Sequence, residues 1–198
     1  IVFLPGASGN LDFWKPLIEF LPEKYEKQII GHPGFGNIAE DTSLKNFSDL
    51  EEYVTGKINS ESILIAQSMG GIFAVNKAFT DASLIKGLVL IATSGGIDLT
   101  PFNVQDWRTE YQEQYPRYPE WFMTTNVNYD EYLEKINIPT LLIWGDADPI
   151  SPVAVGIYLN TKLKGSTLKI ISNGKHNLAE EHAKEVSVYI NQFLEAVS

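Results

Sequence analysis

Cysteine is absent from the 198 residues. That excludes disulfides, thiolate metal sites and a cysteine nucleophile. Basic residues are scarce: Lys and Arg total 15 against 25 Asp and Glu, a net charge of −10, and Arg108 and Arg117 are the only arginines. Nucleic acid needs a basic face to meet its phosphates, so no such partner is expected. No apolar run approaches the ~20 residues of a membrane span, so no membrane partner is expected either. Repeats and low-complexity tracts are missing. What remains is ordinary globular material, 44% hydrophobic, which excludes wholesale disorder. At ~150 residues per domain the length implies one domain, large enough to bury a core without covalent staples. The chain opens at Ile1, already strand-like. A cytoplasmic location is expected, on the condition that no targeting segment precedes that residue. Nothing in the sequence fixes an oligomeric state.

Six short runs are apolar and β-branched: Ile1–Leu4, Gln28–Ile30, Ser62–Ala66, Gly87–Ala92, Thr140–Trp144 and Thr167–Ile171. Ile63-Leu64-Ile65-Ala66 and Leu88-Val89-Leu90-Ile91-Ala92 do not alternate, which suits strands covered on both faces. Helical spacing fills the gaps: Leu11, Trp14, Leu17, Ile18 and Leu21; Leu44, Phe47, Leu50, Tyr53 and Val54; Gly70–Phe79; about Val153–Leu163; and Leu178–Val197. Asn177 followed by Glu180 reads as a capping-box start for one final helix. Strands alternating with helices predict an α/β fold with a doubly wound, mainly parallel sheet of about six strands.

One segment breaks the rhythm. Residues 96–137 show no convincing strand but carry Phe102, Trp107, Tyr111, Tyr115, Tyr118, Trp121, Phe122, Tyr129 and Tyr132. The segment is too short for a domain and too aromatic for a solvated linker. It is expected to form a small helical cap over the C-terminal edge of the sheet, within a single domain spanning 1–198.

The chemical signal is Leu64-Ile65-Ala66-Gln67-Ser68-Met69-Gly70-Gly71. A buried strand runs into Ser68 and a helix starts at once, with small residues two before and two after. So sharp a turn crowds the backbone and lifts the serine above the sheet, at a helix N-terminus that favours developing negative charge. The alternative is a serine that merely caps the helix.

Here the chain resembles the α/β-hydrolase superfamily, over nearly its whole length, with Ala66 where glycine is usual. The resemblance implies an oxyanion loop after an early strand, and Phe3-Leu4-Pro5-Gly6-Ala7-Ser8-Gly9 stands there, Pro5 replacing a frequent His. By that match the donors are the backbone N–H groups of Ala7 and Met69. Losing one such donor costs about 3–4 kcal/mol of transition-state stabilisation. A Pro-Gly turn that simply ends a strand is the alternative.

The resemblance also implies an acid after a late strand. In Gly145-Asp146-Ala147-Asp148-Pro149-Ile150-Ser151-Pro152, the residues Gly145, Asp148 and Pro152 fall on the Gly-x-x-Asp-x-x-x-Pro positions. Asp148 is then the orienting carboxylate, and Asp146 is expected to cap the turn. The implied histidine is His176, after the last strand. His182 lies among Glu180, Glu181 and Lys184 and reads as surface. His32, in Gly31-His32-Pro33-Gly34-Phe35-Gly36, resembles the family's Asp-x-Pro-Gly-x-Gly loop and reads mainly as a turn residue. The order Ser68, Asp148, His176 is the hydrolase order.

The family also implies a sheet order 2-1-3-4-5-6, here without the extra antiparallel strand pair that precedes it in larger members. Its switch point lies between strands 1 and 3, which carry the oxyanion loop and Ser68. The activity implied is serine hydrolysis of a small ester or related acyl compound, with no cofactor and no metal. Ser68 disfavours haloalkane dehalogenases, which use Asp there. Two alternatives stand. One is a lyase or carbon–carbon bond hydrolase on the same fold, which the Leu4-Pro5-Gly6 and Asp12-Phe13-Trp14 stretch faintly resembles. The other is a non-catalytic ligand-binding relative. Substrate contacts are expected from Trp14, Arg108, Arg117 and Trp121. One arginine is expected to hold an anionic substrate group through its planar fork; pairing with Glu110, Glu113 or Glu120 is the alternative.

Overall fold

The computed structural model describes residues 1–197. The strands are β1 (Val2–Leu4), β2 (Gln28–Ile29), β3 (Ser62–Gln67), β4 (Ile85–Ile91), β5 (Thr140–Gly145) and β6 (Thr167–Ile171). They form one six-stranded sheet, ordered β2-β1-β3-β4-β5-β6, and every pairing is parallel. The expected fold class and strand order are therefore the observed ones.

The unbroken apolar runs have their cause in two cores. Leu64, Ala66, Leu88, Leu90, Leu142 and Trp144 point to one face, where α2 (Phe47–Gly56), α3 (Met69–Thr80) and α7 (Val153–Lys162) cover them. Ile63, Ile65, Val89, Ile91, Leu141 and Ile143 point to the other, covered by α1 (Lys15–Ile18), α8 (Leu178–Glu181) and α9 (Ala183–Val197). Successive residues of a strand face opposite ways, so a strand buried on both sides has no polar position to offer.

Three local expectations need correction. The first helical stripe is a 3-10 turn over Leu11–Trp14 followed by α1, a single turn containing Pro16. The second helix starts at Phe47, because the Asn46 side chain accepts the Asp49 N–H at 3.0 Å and caps it there. The last helix is two: α8 ends at Glu181, His182 leaves helical geometry (φ −114°, ψ 29°), and α9 follows. Asn177 makes no side-chain cap there.

Between β4 and β5 the chain forms a 3-10 turn (Thr100–Phe102) and three short helices, α4 (Arg108–Gln114), α5 (Trp121–Thr124) and α6 (Asp130–Leu133). Its aromatics pack on one another and on the core: Phe35 meets Tyr118, Trp121 and Phe122 at 5.3, 6.1 and 5.9 Å between ring centroids.

Candidate functional site

Register places the site. Leu4 lies opposite Ala66 in the β1–β3 pair, so the chain leaving β1 at Pro5-Gly6 runs beside Gln67-Ser68. The turn at Ser68 is strained, with φ 52° and ψ −122°, a region that costs a non-glycine residue about 1–3 kcal/mol. Neighbours hold it. Ser68 N–H donates to Ile91 O at 3.1 Å, Gly71 N–H to Ser68 O at 3.0 Å, and the Thr93 hydroxyl to Ser68 O at 2.6 Å. A Cβ on Gly70 would overlap the Leu4 carbonyl, and one on Gly71 would overlap the Thr93 side chain. Glycine at both places lets α3 start against the chain leaving β1 and the chain leaving β4.

Two loops at the ends of β5 and β6 approach from the other side. His176 Nε2 lies 3.0 Å from Ser68 Oγ, and His176 Nδ1 lies 2.8 Å from Asp148 Oδ2. A carboxylate only accepts, so Nδ1 carries the proton and Nε2 of the neutral ring accepts from the serine hydroxyl. The other Asp148 oxygen accepts the N–H groups of Ile150 and Ser151 at 2.8 and 3.0 Å, which fixes the carboxyl in a buried place. Gln67 Nε2 donates to His176 O at 3.1 Å, tying the histidine loop to the elbow. Among the described residues the N–H groups of Ala7 and Met69 have no acceptor. Both residues line a cavity of about 530 Å³ with Ser68 and His176. Its upper wall comes from the β4–β5 segment and mixes apolar residues, Ile97, Leu99, Val104, Trp107 and Phe122, with polar ones such as Asp98, Arg108 and Glu110. No cluster of His, Cys, Asp and Glu suited to a metal ion occurs among the described residues, and no helix there is long and apolar enough to cross a membrane.

A strained serine at a strand–helix elbow, in contact with a histidine held by a buried carboxylate, is an arrangement to compare with known proteins. Residues 1–135 match the model of the alpha/beta hydrolase family. The chain belongs to that family. A pimeloyl-[acyl-carrier protein] methyl ester esterase of Neisseria meningitidis serogroup A is 37% identical, with all of this chain and 77% of that protein covered. The uncharacterized hydrolase YugF of Bacillus subtilis is 23% identical, covering 98% and 89%. The structure of a thermophilic esterase from Thermogutta terrifontis superposes with TM-score 0.80 at 18% identity, covering 99% of this chain and 89% of that one, a likeness of fold. This family member is an enzyme of the hydrolase type.

The residues expected to touch substrate divide. Arg108 lines the cavity, but its guanidinium already donates to Met123 O from Nε at 3.1 Å and to Asp106 Oδ1 from Nη1 at 3.2 Å. Three expectations are corrected. Trp14 is fully buried on the opposite face of the sheet, against Phe3 and Phe13. Arg117 is exposed and outside the cavity wall. Trp121 turns its ring to Phe35 and Phe47, and its neighbour Phe122 meets the cavity instead. Asp146 accepts the Asn173 N–H at 2.6 Å, bracing one loop on the other.

His32 holds a place that its turn-like surroundings conceal. It is fully buried between Phe35 and Phe73, with Nε2 3.0 Å from Pro5 O. A carbonyl only accepts, so Nε2 carries the proton, and Nδ1 is left without a partner. Burial lowers its pKa to about 4, against the smaller opposing effect of the Pro5 bond. Tyr111 and Tyr118 were also hidden in the sequence among nine scattered aromatics. Their hydroxyls bond the carbonyls of Ala7 and Ser8 at 2.8 and 2.9 Å. The crowded tyrosine spacing was the available signal.

Proposed function

We propose that the protein hydrolyses a small carboxylic ester through a covalent serine intermediate. Ser68 Oγ attacks the ester carbonyl as His176 Nε2 takes its proton, and Asp148 holds the tautomer and stabilises the imidazolium. The oxyanion accepts the N–H groups of Ala7 and Met69. Collapse breaks the bond to the alcohol, which leaves with the proton from His176 and leaves the acyl group on Ser68. Water then attacks the acyl-serine, His176 takes its proton, and Ser68 regains it as the acid departs. Residues 96–137 act as the cap of a single domain and supply the wall for the acyl chain.

The observation that carries this reading is the Asp148–His176–Ser68 chain of contacts at 2.8 and 3.0 Å. Two further points support it. The N–H groups beside the serine lack acceptors among the described residues, and the cavity volume of about 530 Å³ falls in the range of small-molecule sites. The name of the Neisseria relative, a methyl ester esterase, favours ester hydrolysis over lyase or carbon–carbon chemistry.

The test is fluorophosphonate labelling of the wild type and Ser68→Ala, with a panel of neutral acyl esters and diketones. Labelling restricted to the wild type, ester turnover, and a loss of about 10⁴-fold or more in Ser68→Ala are expected. Near-normal turnover in Ser68→Ala would overturn the mechanism. A preference for diketones would move the chemistry to carbon–carbon cleavage.

A further inference from the structure

The oxyanion loop is a four-residue turn. Gly9 N–H donates to Gly6 O at 3.0 Å, which leaves Ala7 and Ser8 as the central residues. Their two carbonyls take no part in the turn's own bond, and both are occupied from above. The Tyr111 hydroxyl donates to Ala7 O at 2.8 Å. The Tyr118 hydroxyl donates to Ser8 O at 2.9 Å and accepts the Gly36 N–H at 2.6 Å. Tyr111 lies in α4 and Tyr118 follows it, over 100 residues away in the chain.

Such a turn has a soft coordinate. The peptide joining its two central residues flips between alternative turn types with little movement of the ends. A bond to the Ala7 carbonyl opposes that flip and so holds the Ala7 backbone, whose own N–H lies across the same Cα in the preceding Gly6–Ala7 peptide; a bond to the Ser8 carbonyl fixes the following peptide. Below, the turn already packs backbone on backbone: a Cβ on Gly9 would come within 2.5 Å of Gly36 N, and both glycines hold positive φ, 63° and 59°. Tyr118 bridges these two loops. Burial, with Tyr118 and Tyr115 adding to it, raises the Tyr111 pKa above the ordinary phenol range, so its hydroxyl remains a donor at working pH.

We propose that the hydroxyls of Tyr111 and Tyr118 are positioning groups, brought from the β4–β5 segment to hold the Gly6–Gly9 turn in the conformation that directs the Ala7 N–H at the reacting oxygen. The inference rests on the reading of Ala7 as an oxyanion donor. It assigns the segment a part in the chemical step in addition to enclosing the acyl chain. Neither tyrosine touches the reacting atoms; both act through the turn.

The experiment compares Tyr111→Phe, Tyr118→Phe and the double variant with Tyr132→Phe, whose ring stacks on Phe79 and which makes no hydroxyl bond among the described residues. Phenylalanine keeps each ring and removes only the donor. For a neutral ester, kcat is expected to fall roughly 10-fold or more in each of the first two and further in the double variant. That is below the 10²–10³-fold loss of a whole donor. KM should stay within about twofold, because the ground-state carbonyl does not need the hole. Affinity for a boronic acid that mimics the tetrahedral adduct should fall in step with kcat, and Tyr132→Phe should match the wild type. Unchanged kcat in the double variant overturns the proposal, as does a loss confined to KM or equal losses of kcat in Tyr132→Phe. Ser68→Ala separates the two layers. If that variant keeps its turnover, the underlying mechanism is wrong. If it is inactive while the tyrosine variants match the wild type, this proposal alone fails.

Discussion

Gly145 and Gly174 touch through their backbones: a Cβ on Gly145 would overlap the Gly174 carbonyl oxygen. That oxygen also accepts the Ala147 N–H at 3.0 Å. At this contact the loops after β5 and β6, which carry Asp148 and His176, are docked backbone on backbone. Alanine at Gly145 must push the loops apart. Gly145→Ala should cost about 1–3 kcal/mol in urea unfolding, as overpacking does. It should also lower kcat under conditions where the variant is fully folded, because the 2.8 Å Asp148–His176 contact spans the same gap. A stability loss with wild-type kcat would show that the two loops adjust independently.

Asp148 and Asp146 stand two residues apart and are set apart by their partners. In Asp148→Asn the side-chain oxygen is retained by the N–H groups of Ile150 and Ser151. The amide NH₂ then faces His176 Nδ1, which must accept. Nε2 carries the ring proton and no longer serves Ser68 as a base, so kcat should drop by about 10⁴ with the fold intact. Asp146→Asn weakens one bond, to Asn173 N–H at 2.6 Å, and should cost on the order of 1 kcal/mol of stability. Kinetics and unfolding of both variants check this, and a larger kcat loss at Asp146 would reverse the assignment.

Acid should destabilise the fold through His32. Its folded pKa is lowered from 6.5 to about 4 by burial. Below pH 6.5 the unfolded chain takes up a proton that the folded chain refuses until about pH 4. The contribution is thus fully present above pH 6.5 and declines as pH falls to 4, by about 3 kcal/mol in total. In His32→Gln the side chain can still donate to Pro5 O but does not titrate. Stability measured from pH 7 to pH 4 should fall less steeply in this variant than in the wild type. Parallel curves would remove His32 as the cause.

The central strands β3, β4 and β5 were legible because they are buried on almost every residue, a condition that writes itself as continuous apolar sequence, whereas the order of the sheet came from the family resemblance. Ser68 was legible from the small residues that its sharp turn demands, such as Gly70 against Leu4, whereas Asp148 and His176 were indicated by the family resemblance and the structure brings both to the serine. Side-chain direction within the β4–β5 segment was not. Trp121 and Phe122 are neighbours on a one-turn helix, about 100° apart around its axis. Both pack on Phe35 and Phe47, but only Phe122 also reaches the cavity, and no period is long enough to distinguish them. Trp14 failed for a related reason: an aromatic residue declares burial but not which of two cores receives it. The break at His182 was hidden because Leu178, Ala179, Ala183 and Val186 keep apolar spacing across it, all in the same core.

Arg108 supplies the remaining test, the charge of the substrate. Its Nε–H and one Nη1–H are spent on Met123 O and Asp106, and its guanidinium lies 5.3 Å from the Trp107 ring centroid. These contacts join the start of α4 to α5, so the arginine braces the cavity wall. Asp106 carries the compensating charge, its carboxyl held below the usual range by the Arg108 N–H and guanidinium. Asp98 and Glu110 also line the cavity, and the chain as a whole is strongly acidic. A carboxylate-bearing ester therefore meets a braced cation and these two anions, whereas a neutral ester meets no such repulsion and can rest on the apolar residues of the same wall, such as Trp107 and Phe122. The wild type should show the lower KM for the neutral member of a matched ester pair. Arg108→Ala should raise both KM values by a similar factor, within about twofold, as a loosened wall does to any ligand. A penalty of roughly tenfold or more for the carboxylate ester alone, about 1.4 kcal/mol, would instead make Arg108 the anchor for an anionic group.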